Sequence, residues 1–277
     1  MITVICVYSS YQVLSEYLLG SLQRQNTEYQ LVLVDNSGSV FKSAVKALNY
    51  GAKQANGKYI MFVHQDVDLC SDSWLLDAEK ILDGIGKFGV AGVAGMSEKG
   101  RNLKERGRNI ITNHEDHRVW DFGNPIERPE IVQTLDGCLL ITTAYVFNLL
   151  KFDEQICGDW HLYDVDYCLS CKELGYEVYA IPLSIYHRSA GPWHHPSKIK
   201  ILKSLGALPK PYYRTLPRLI KKHKPNYKYI YTSNGEWNTY QPVMLQRLRI
   251  LIVASIDLVI RNLKRLTLRW ITPKSQS

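Results

Sequence analysis

The sequence predicts an α/β protein built on a central, mostly parallel sheet and followed by a basic helical extension. Two observations predict the sheet. Short apolar runs of strand length (2–7, 31–34, 59–63) alternate with stretches whose apolar residues recur at helical spacing, and the runs lead into polar segments. The third observation separates the extension: residues 195–277 carry 17 of the 34 Lys and Arg residues against only Glu236 and Asp257, a net of +15, whereas residues 1–194 carry a net of −7. The expected division is a domain over 1–195 and a basic, mainly helical extension over 196–277, facing a membrane or an acceptor.

The first run, Ile2 to Val7, reads as a strand and not as a signal peptide, since no basic segment precedes it. Leu14, Leu18, Ser21, Leu22 and Gln25 then recur at helical spacing. Leu31 to Val34 is expected as a second buried strand, closed by the turn Asp35-Asn36-Ser37-Gly38, and Phe41, Ala44, Val45, Leu48, Ala52 and Ala55 mark a second helix. Tyr59 to Val63, apolar throughout, predicts a strand buried on both faces, and it ends abruptly in His64, Gln65, Asp66 and Asp68. Open α/β sheets bind ligands at the carboxyl ends of their strands. Carboxylates there suit a hard divalent cation and, through it, a phosphate. On residue type alone Asp66 and Asp68 serve equally well to end a strand and open the next helix.

Trp74 to Ile85 is helical by period, and Phe88 to Gly95 is a Gly-interrupted strand. Residues 97–130 are polar without a sustained period, which predicts a long irregular segment. The His114-Glu115-Asp116-His117 cluster within it reads as solvated loop. Ile131 to Ile141, broken at Asp136-Gly137, resumes the order and a short helix runs to Leu150. Trp160 to Leu174 is helical and closed by Gly175, with short strands at 176–181 and 184–187. Taken singly, Asp164 and Asp166 are ordinary residues for a helix start.

Composition narrows the class. With 45% hydrophobic and 22% charged residues the chain is globular, and its six scattered cysteines exclude a disulfide framework and point to a reducing, cytoplasmic setting. Cys168 and Cys171 fall inside a helical pattern with no second pair at zinc-site spacing. No run reaches the roughly 20 apolar residues of a spanning helix.

Taken in order, the motifs resemble family 2 glycosyltransferases of the GT-A fold, inverting enzymes that use nucleotide-sugar donors. The resemblance covers residues 1–190 and rests on Val34-Asp35-Asn36-Ser37, Gly57-Lys58-Tyr59-Ile60-Met61-Phe62, His64-Gln65-Asp66, Asp136-Gly137, Phe152-Asp153-Glu154, Tyr163-Asp164-Val165-Asp166, Gly175-Tyr176 and Ile185-Tyr186-His187. It implies that Asp35 binds the nucleotide base, that Tyr8 lies against it, and that His64 and Gln65 sit on the donor. It implies further that Asp66 and His187 hold Mg²⁺ or Mn²⁺ against the diphosphate. The family usually has D-x-D here, with His64 in place of the first acid; a second register, Asp66-Val67-Asp68, sits two residues late. The family's E-D motif supplies the catalytic base, which implies that role for Asp164, with Tyr163 replacing the glutamate. Trp160 and Asp166 are placed on the acceptor side. The helix dipole is expected to keep Asp164 ionised.

The implied activity is metal-dependent transfer of a hexosyl or deoxyhexosyl group from a UDP- or dTDP-sugar to a glycan or lipid-linked acceptor in surface polysaccharide assembly. Residues 244–270 repeat Leu and Ile by threes and fours among Arg and Lys and end in Trp270, the pattern of a helix lying on an anionic membrane surface. That predicts a peripheral location on the inner face of the membrane, with packing on the domain or an oligomer contact as alternatives. Two rival functions remain open: a polyanion- or nucleic-acid-binding protein acting through the tail, and a haloacid-dehalogenase-like phosphatase using Asp66-Val67-Asp68. No nucleic-acid motif is present, so no nucleic-acid partner is expected.

Overall fold

The computed structural model describes residues 1–109, 111–115, 118–188, 208–249, 251, 252 and 256, without side chains at 111–115 and 118–122. Strands β1 (Ile2–Tyr8), β2 (Tyr29–Asp35) and β3 (Tyr59–Val63) run parallel with β1 in the middle. Helix α1 joins the first two, as α-helix at Tyr11–Leu14 and Gly20–Leu22 around a π-helical Ser15–Leu19, and α2 (Ala44–Ala52) joins the next pair. Ser10 starts α1, its hydroxyl accepting from the Val13 N–H.

The chain continues through β4 (Val67–Leu69), α3 (Trp74–Ile85), β5 (Phe88–Gly92), β6 (Gly95–Met96), α4 (Leu103–Arg106), β7 (Gly107–Arg108), β8 (Ile111–Glu115) and β9 (Arg118–Phe122). It then forms β10 (Glu130–Ile131), β11 (Thr134–Leu135), β12 (Leu139–Thr143), α5 (Ala144–Leu149), α6 (Tyr163–Glu173), β13 (Glu177–Ala180) and β14 (Ile185–His187). The central sheet has seven strands in the order β10-β13-β5-β12-β3-β1-β2. Only β12 and β10 run against the rest.

Side chains alternate across a strand, so β3 feeds two cores. Tyr59, Met61 and Val63 pack with Leu14, Leu18, Leu75 and Ala78 of α1 and α3. Ile60 and Phe62 pack with Val45, Leu48, Phe147 and Tyr167 of α2, α5 and α6. Helices on both faces are why β3 is apolar without alternation.

Two expectations are corrected. Residues 97–130 are not a structureless loop: β8 pairs with β9 and, in parallel, with β14, which pairs with β4 to complete a four-stranded sheet. Strands of two to five residues are too short to set up a period that sequence alone reveals. His114 and Glu115 lie in β8, while Asp116 and His117 fall outside the described residues. The helix expected from Trp160 starts at Tyr163, because Leu162 takes a left-handed φ of 67° that breaks the pattern.

The described part of the extension folds onto the domain. Helix α7 (Lys210–His223) and the hairpin β15 (Tyr229–Thr232) and β16 (Gly235–Asn238) bury Leu216, Leu219, Ile230 and Trp237 against Leu162, Val165 and Leu169 of α6 and its approach. Each such side chain contributes roughly 1.5–3 kcal/mol by burial. Residues 243–249 are helical. The rest of the amphipathic segment, apart from 251, 252 and 256, lies outside the described residues. No described helix is long and apolar enough to cross a membrane.

Candidate active site

β1 and β3 end where antiparallel β12 begins, so the turn leading into β12 faces the residues leaving β3. The His64 N–H donates to the Cys138 carbonyl (2.9 Å), and the Asp136 carboxylate accepts the Cys138 N–H (3.1 Å). Gln65 turns back to the exit of β1, its Oε1 accepting the Ser9 and Ser10 N–H groups (2.9 and 3.0 Å). β14 lies antiparallel to β4 with His187 opposite Val67, and the Arg188 N–H donates to the Asp66 carbonyl (2.9 Å). That register carries His187 to Asp66 across the intervening half of the domain.

The ligating atoms of His64, Asp66 and His187 lie within 4.8 Å of one another, and His187 Nε2 is 3.5 Å from Asp66 Oδ1. Burial works against the Asp66 charge, but the His187 imidazole outweighs it and holds the carboxyl below its ordinary value. For His187 burial is likewise outweighed by Asp66, and its pKa rises. Burial lowers that of His64, which favours a neutral ring. The Tyr163 hydroxyl donates to the Gly137 carbonyl (3.1 Å) and lies 3.1 Å from His64 Nε2. With its proton so used, the phenol oxygen accepts from Nε2–H, which leaves the lone pair of His64 on Nδ1. Two imidazoles and a carboxylate at this spacing fit a divalent cation. The two departures from the family pattern, His64 and Tyr163, thus touch each other. Asp68 pairs instead with Arg24 (3.2 Å), leaving the register at Asp66.

Beside this set opens a cleft of about 710 Å³ lined by Tyr8, Asn36, Phe41, Lys42, Gln65 and Trp160 among others. Asp35 is exposed beside that lining; it accepts the Ser37 N–H (2.8 Å) and the Tyr8 hydroxyl, and these hydrogen bonds lower its pKa. Asn36 closes its turn with both ends of its amide on Phe41 (2.7 and 3.2 Å), which positions Phe41 and Lys42. Sequence reading marked this segment only as a turn and helix start, and missed it as a cleft wall.

Asp164 is in the lining of a second cavity of about 150 Å³. Both cavities are lined by His64, Gly137, Trp160 and Tyr163. The expectation that the dipole keeps Asp164 ionised is corrected: burial and then the Asp136 charge raise its pKa to about 7, against the backbone N–H bonds that lower it. Gly137 is required here, since a Cβ would meet Tyr163 Oη at 2.7 Å and Asp164 Oδ2 at 3.2 Å. In the sequence Asp136 stands out only as part of the Asp136-Gly137 motif; its effect on Asp164 comes from the fold.

The family model described as Glycosyltransferase like family matches residues 3–202. The chain belongs to that family. Among solved structures, the mannosyltransferase PcManGT from Pyrobaculum calidifontis, in complex with GDP-Man and Mn²⁺, is similar at TM-score 0.55 and 13% identity, over 94% of this chain and 74% of that one. TarS from S. aureus is similar at TM-score 0.49 and 15% identity over 80% of this chain, which spans 39% of TarS. No curated protein matches. The fold is that of GT-A glycosyltransferases.

In this member of the family the site residues expected from sequence do not all converge. Tyr8, His64, Gln65, Asp66, Trp160 and His187 line the large cleft, and Asp164 the small cavity. Asp166, expected on the acceptor side, is corrected: it is 2% exposed and binds Lys222 Nζ and His223 Nε2, each at 2.9 Å, fastening α7 to α6. It turns away from the cleft because residues two apart on a helix point about 200° from each other.

Proposed function

We propose that the protein is an inverting glycosyltransferase in which the large cleft takes the nucleotide-sugar and Asp164 is the general base. The observation that supports this is the division of the lining: Asp66 and His187 line the large cleft and Asp164 the small cavity, with His64, Gly137, Trp160 and Tyr163 common to both. A leaving group and an acceptor held on opposite sides of a sugar give direct displacement and inversion. Tyr8 and Asp35 hold the base, and Phe41 and Lys42 complete the wall beside the nucleotide.

Asp66, His64 through Nδ1, and His187 would hold the divalent cation, whose chemistry there is to neutralise charge on the departing diphosphate. Two imidazoles among three ligands favour Mn²⁺ over Mg²⁺, which prefers oxygen ligands and water. Asp164 takes the proton of the acceptor hydroxyl as that oxygen bonds the anomeric carbon and the bond to the diphosphate oxygen breaks. Gln65 fixes the exit of β1 against the motif, and Tyr163 fixes the tautomer of His64.

We further propose a hexosyl or deoxyhexosyl donor carried on UDP or dTDP, and a lipid-linked glycan acceptor in surface polysaccharide assembly. An inner-membrane surface location fits the concentration of positive charge in residues 195–277. The similarity to a mannosyltransferase bound to GDP-Man and Mn²⁺ adds GDP to the nucleotides to be tried. The test is a melting-temperature screen of UDP, dTDP and GDP with and without Mn²⁺, on wild type and Asp66→Ala. A nucleotide shift that needs Mn²⁺ and disappears in Asp66→Ala is expected. Stabilisation by polyanions alone would overturn the proposal.

A further inference from the structure

The small cavity is completed by described residues that lie beyond the part of the chain matching the family. Its outer wall is Tyr212 of α7 and the β15–β16 turn, Thr232, Ser233 and Asn234, all beyond the 3–202 match. We infer that this wall makes the C-terminal extension an acceptor-recognition element, and that the cavity it closes over Asp164 takes an uncharged pyranose ring. The inference rests on the proposed function and assigns the acceptor class of that same site.

The turn is built to stay in place. Trp237 Nε1–H donates to the Tyr212 hydroxyl (3.0 Å), and the Thr232 hydroxyl donates to the Gly235 carbonyl (3.0 Å). On its other side the Arg106 guanidinium stacks over Tyr231 at 3.7 Å, Gln133 Oε1 accepts the Tyr231 N–H (2.7 Å), and Thr134 Oγ1 donates to the Tyr231 carbonyl (2.5 Å). A wall held from both sides presents its groups without an ordering cost on binding.

The chemistry of the lining selects the ligand. The indole of Trp160, 42% exposed and shared with the large cleft, offers a flat apolar face. In the same lining, the side chains of Ser233 and Asn234 make no hydrogen bond to any described residue, which leaves a hydroxyl and an amide for a ligand's hydroxyls. Among the described residues no Lys or Arg lines the cavity, whereas Asp136 and Asp164 both do. A phosphate or uronate there would face two acids with no described Lys or Arg to pair it, and the cation proposed at His64, Asp66 and His187 is committed to the donor diphosphate, so a neutral ring with hydroxyls is what the site accommodates. In a lipid-linked acceptor the terminal sugar occupies the cavity and any diphosphate stays outside it.

Saturation-transfer NMR in the presence of UDP and Mn²⁺ tests this on the full chain, with methyl glucoside, methyl galactoside and methyl N-acetylglucosaminide as neutral probes and methyl glucuronide and glucose 6-phosphate as anionic ones. At least one neutral glycoside is expected to bind, with the anionic probes at least tenfold weaker. The double variant Ser233→Ala/Asn234→Ala should weaken that binding about tenfold, the loss of one or two hydrogen bonds. Trp160→Ala, at an exposed position, should do likewise, with melting curves checking the fold of both. The inference is overturned if no neutral glycoside binds, if the anionic probes bind as tightly, or if both folded variants bind as wild type does. UDP and GDP titrations of the wild type separate the two failures: nucleotide binding without glycoside binding sinks this inference alone, and no nucleotide binding sinks the donor assignment.

Discussion

Asp66 and Asp164 are the same residue type on two walls of one site, yet their surroundings push them in opposite directions. Asp66 faces an imidazole, which holds its carboxyl below the ordinary range. Asp164 is packed in beside a second acid, and its pKa climbs to about 7. A carboxylate that stays ionised at any working pH suits a cation. One that titrates near neutrality suits proton transfer, because a base whose pKa matches the medium is both unprotonated and able to accept. The two regions also differ in origin. The Asp66 side is built from strand ends inside the matched family segment, whereas the Asp164 side is completed by α7 and the β15–β16 turn beyond it.

The sharpest way to break this contrast is Asp164→Asn. Glycosyl transfer is expected to fall on the order of 100- to 10,000-fold, the range of general-base catalysis. Nucleotide affinity, set on the other wall, should hold within about twofold by calorimetry. Equal loss of transfer and of nucleotide binding would erase the division of labour.

Tyr163→Phe probes the boundary between the two walls. It removes the oxygen that takes His64 Nε2–H and leaves the ring in place, so Mn²⁺ affinity should weaken about 10- to 100-fold, as for other groups that orient a ligating histidine. Calorimetric titration of Mn²⁺ in the presence of UDP reads the effect. Unchanged affinity would take His64 out of the set.

A pH profile sharpens the contrast most finely. The pKa of Asp164 is raised, so its protonated form, useless as a base, accumulates as pH falls through about 7. Transfer should therefore drop about tenfold per unit on the acid side of that value. Asp136→Asn removes a charge that raises the Asp164 pKa, so the acid limb of the profile should move to lower pH. Asp66 should contribute no limb near neutrality, because its pKa is displaced downward. A limb that stays put in Asp136→Asn would detach it from Asp164.

Much of the donor side was legible in the amino-acid order. An unbroken apolar run of five residues ending in His64-Gln65-Asp66 reads as a strand buried on both faces that delivers its polar end to a sheet edge, whereas the run 31–34, read the same way, is the edge strand β2 with Leu33 exposed, and only its polar exit at Asp35-Asn36 was legible. The pairing of His187 with Asp66 was legible only through the resemblance, since the antiparallel register of β14 on β4 makes it. The β8–β9 hairpin stayed hidden because its pairing partners, not a period of its own, define it.

What the sequence alone determined is which side chains leave water, because periods of two and 3.6 residues report burial directly. What each buried face meets was decided by the tertiary structure. Helix α6 shows the limit: it is buried from Tyr163 through Cys171 apart from Asp164, so its pattern could not say which acid faces the cleft. The docking of α7 settled that, by claiming Asp166 for Lys222 and His223 and leaving Asp164 at the cavity. Contacts between residues distant along the chain have no signature in local order, so the acid pair, the tautomer of His64 and the outer wall of the small cavity exist only once the chain has folded.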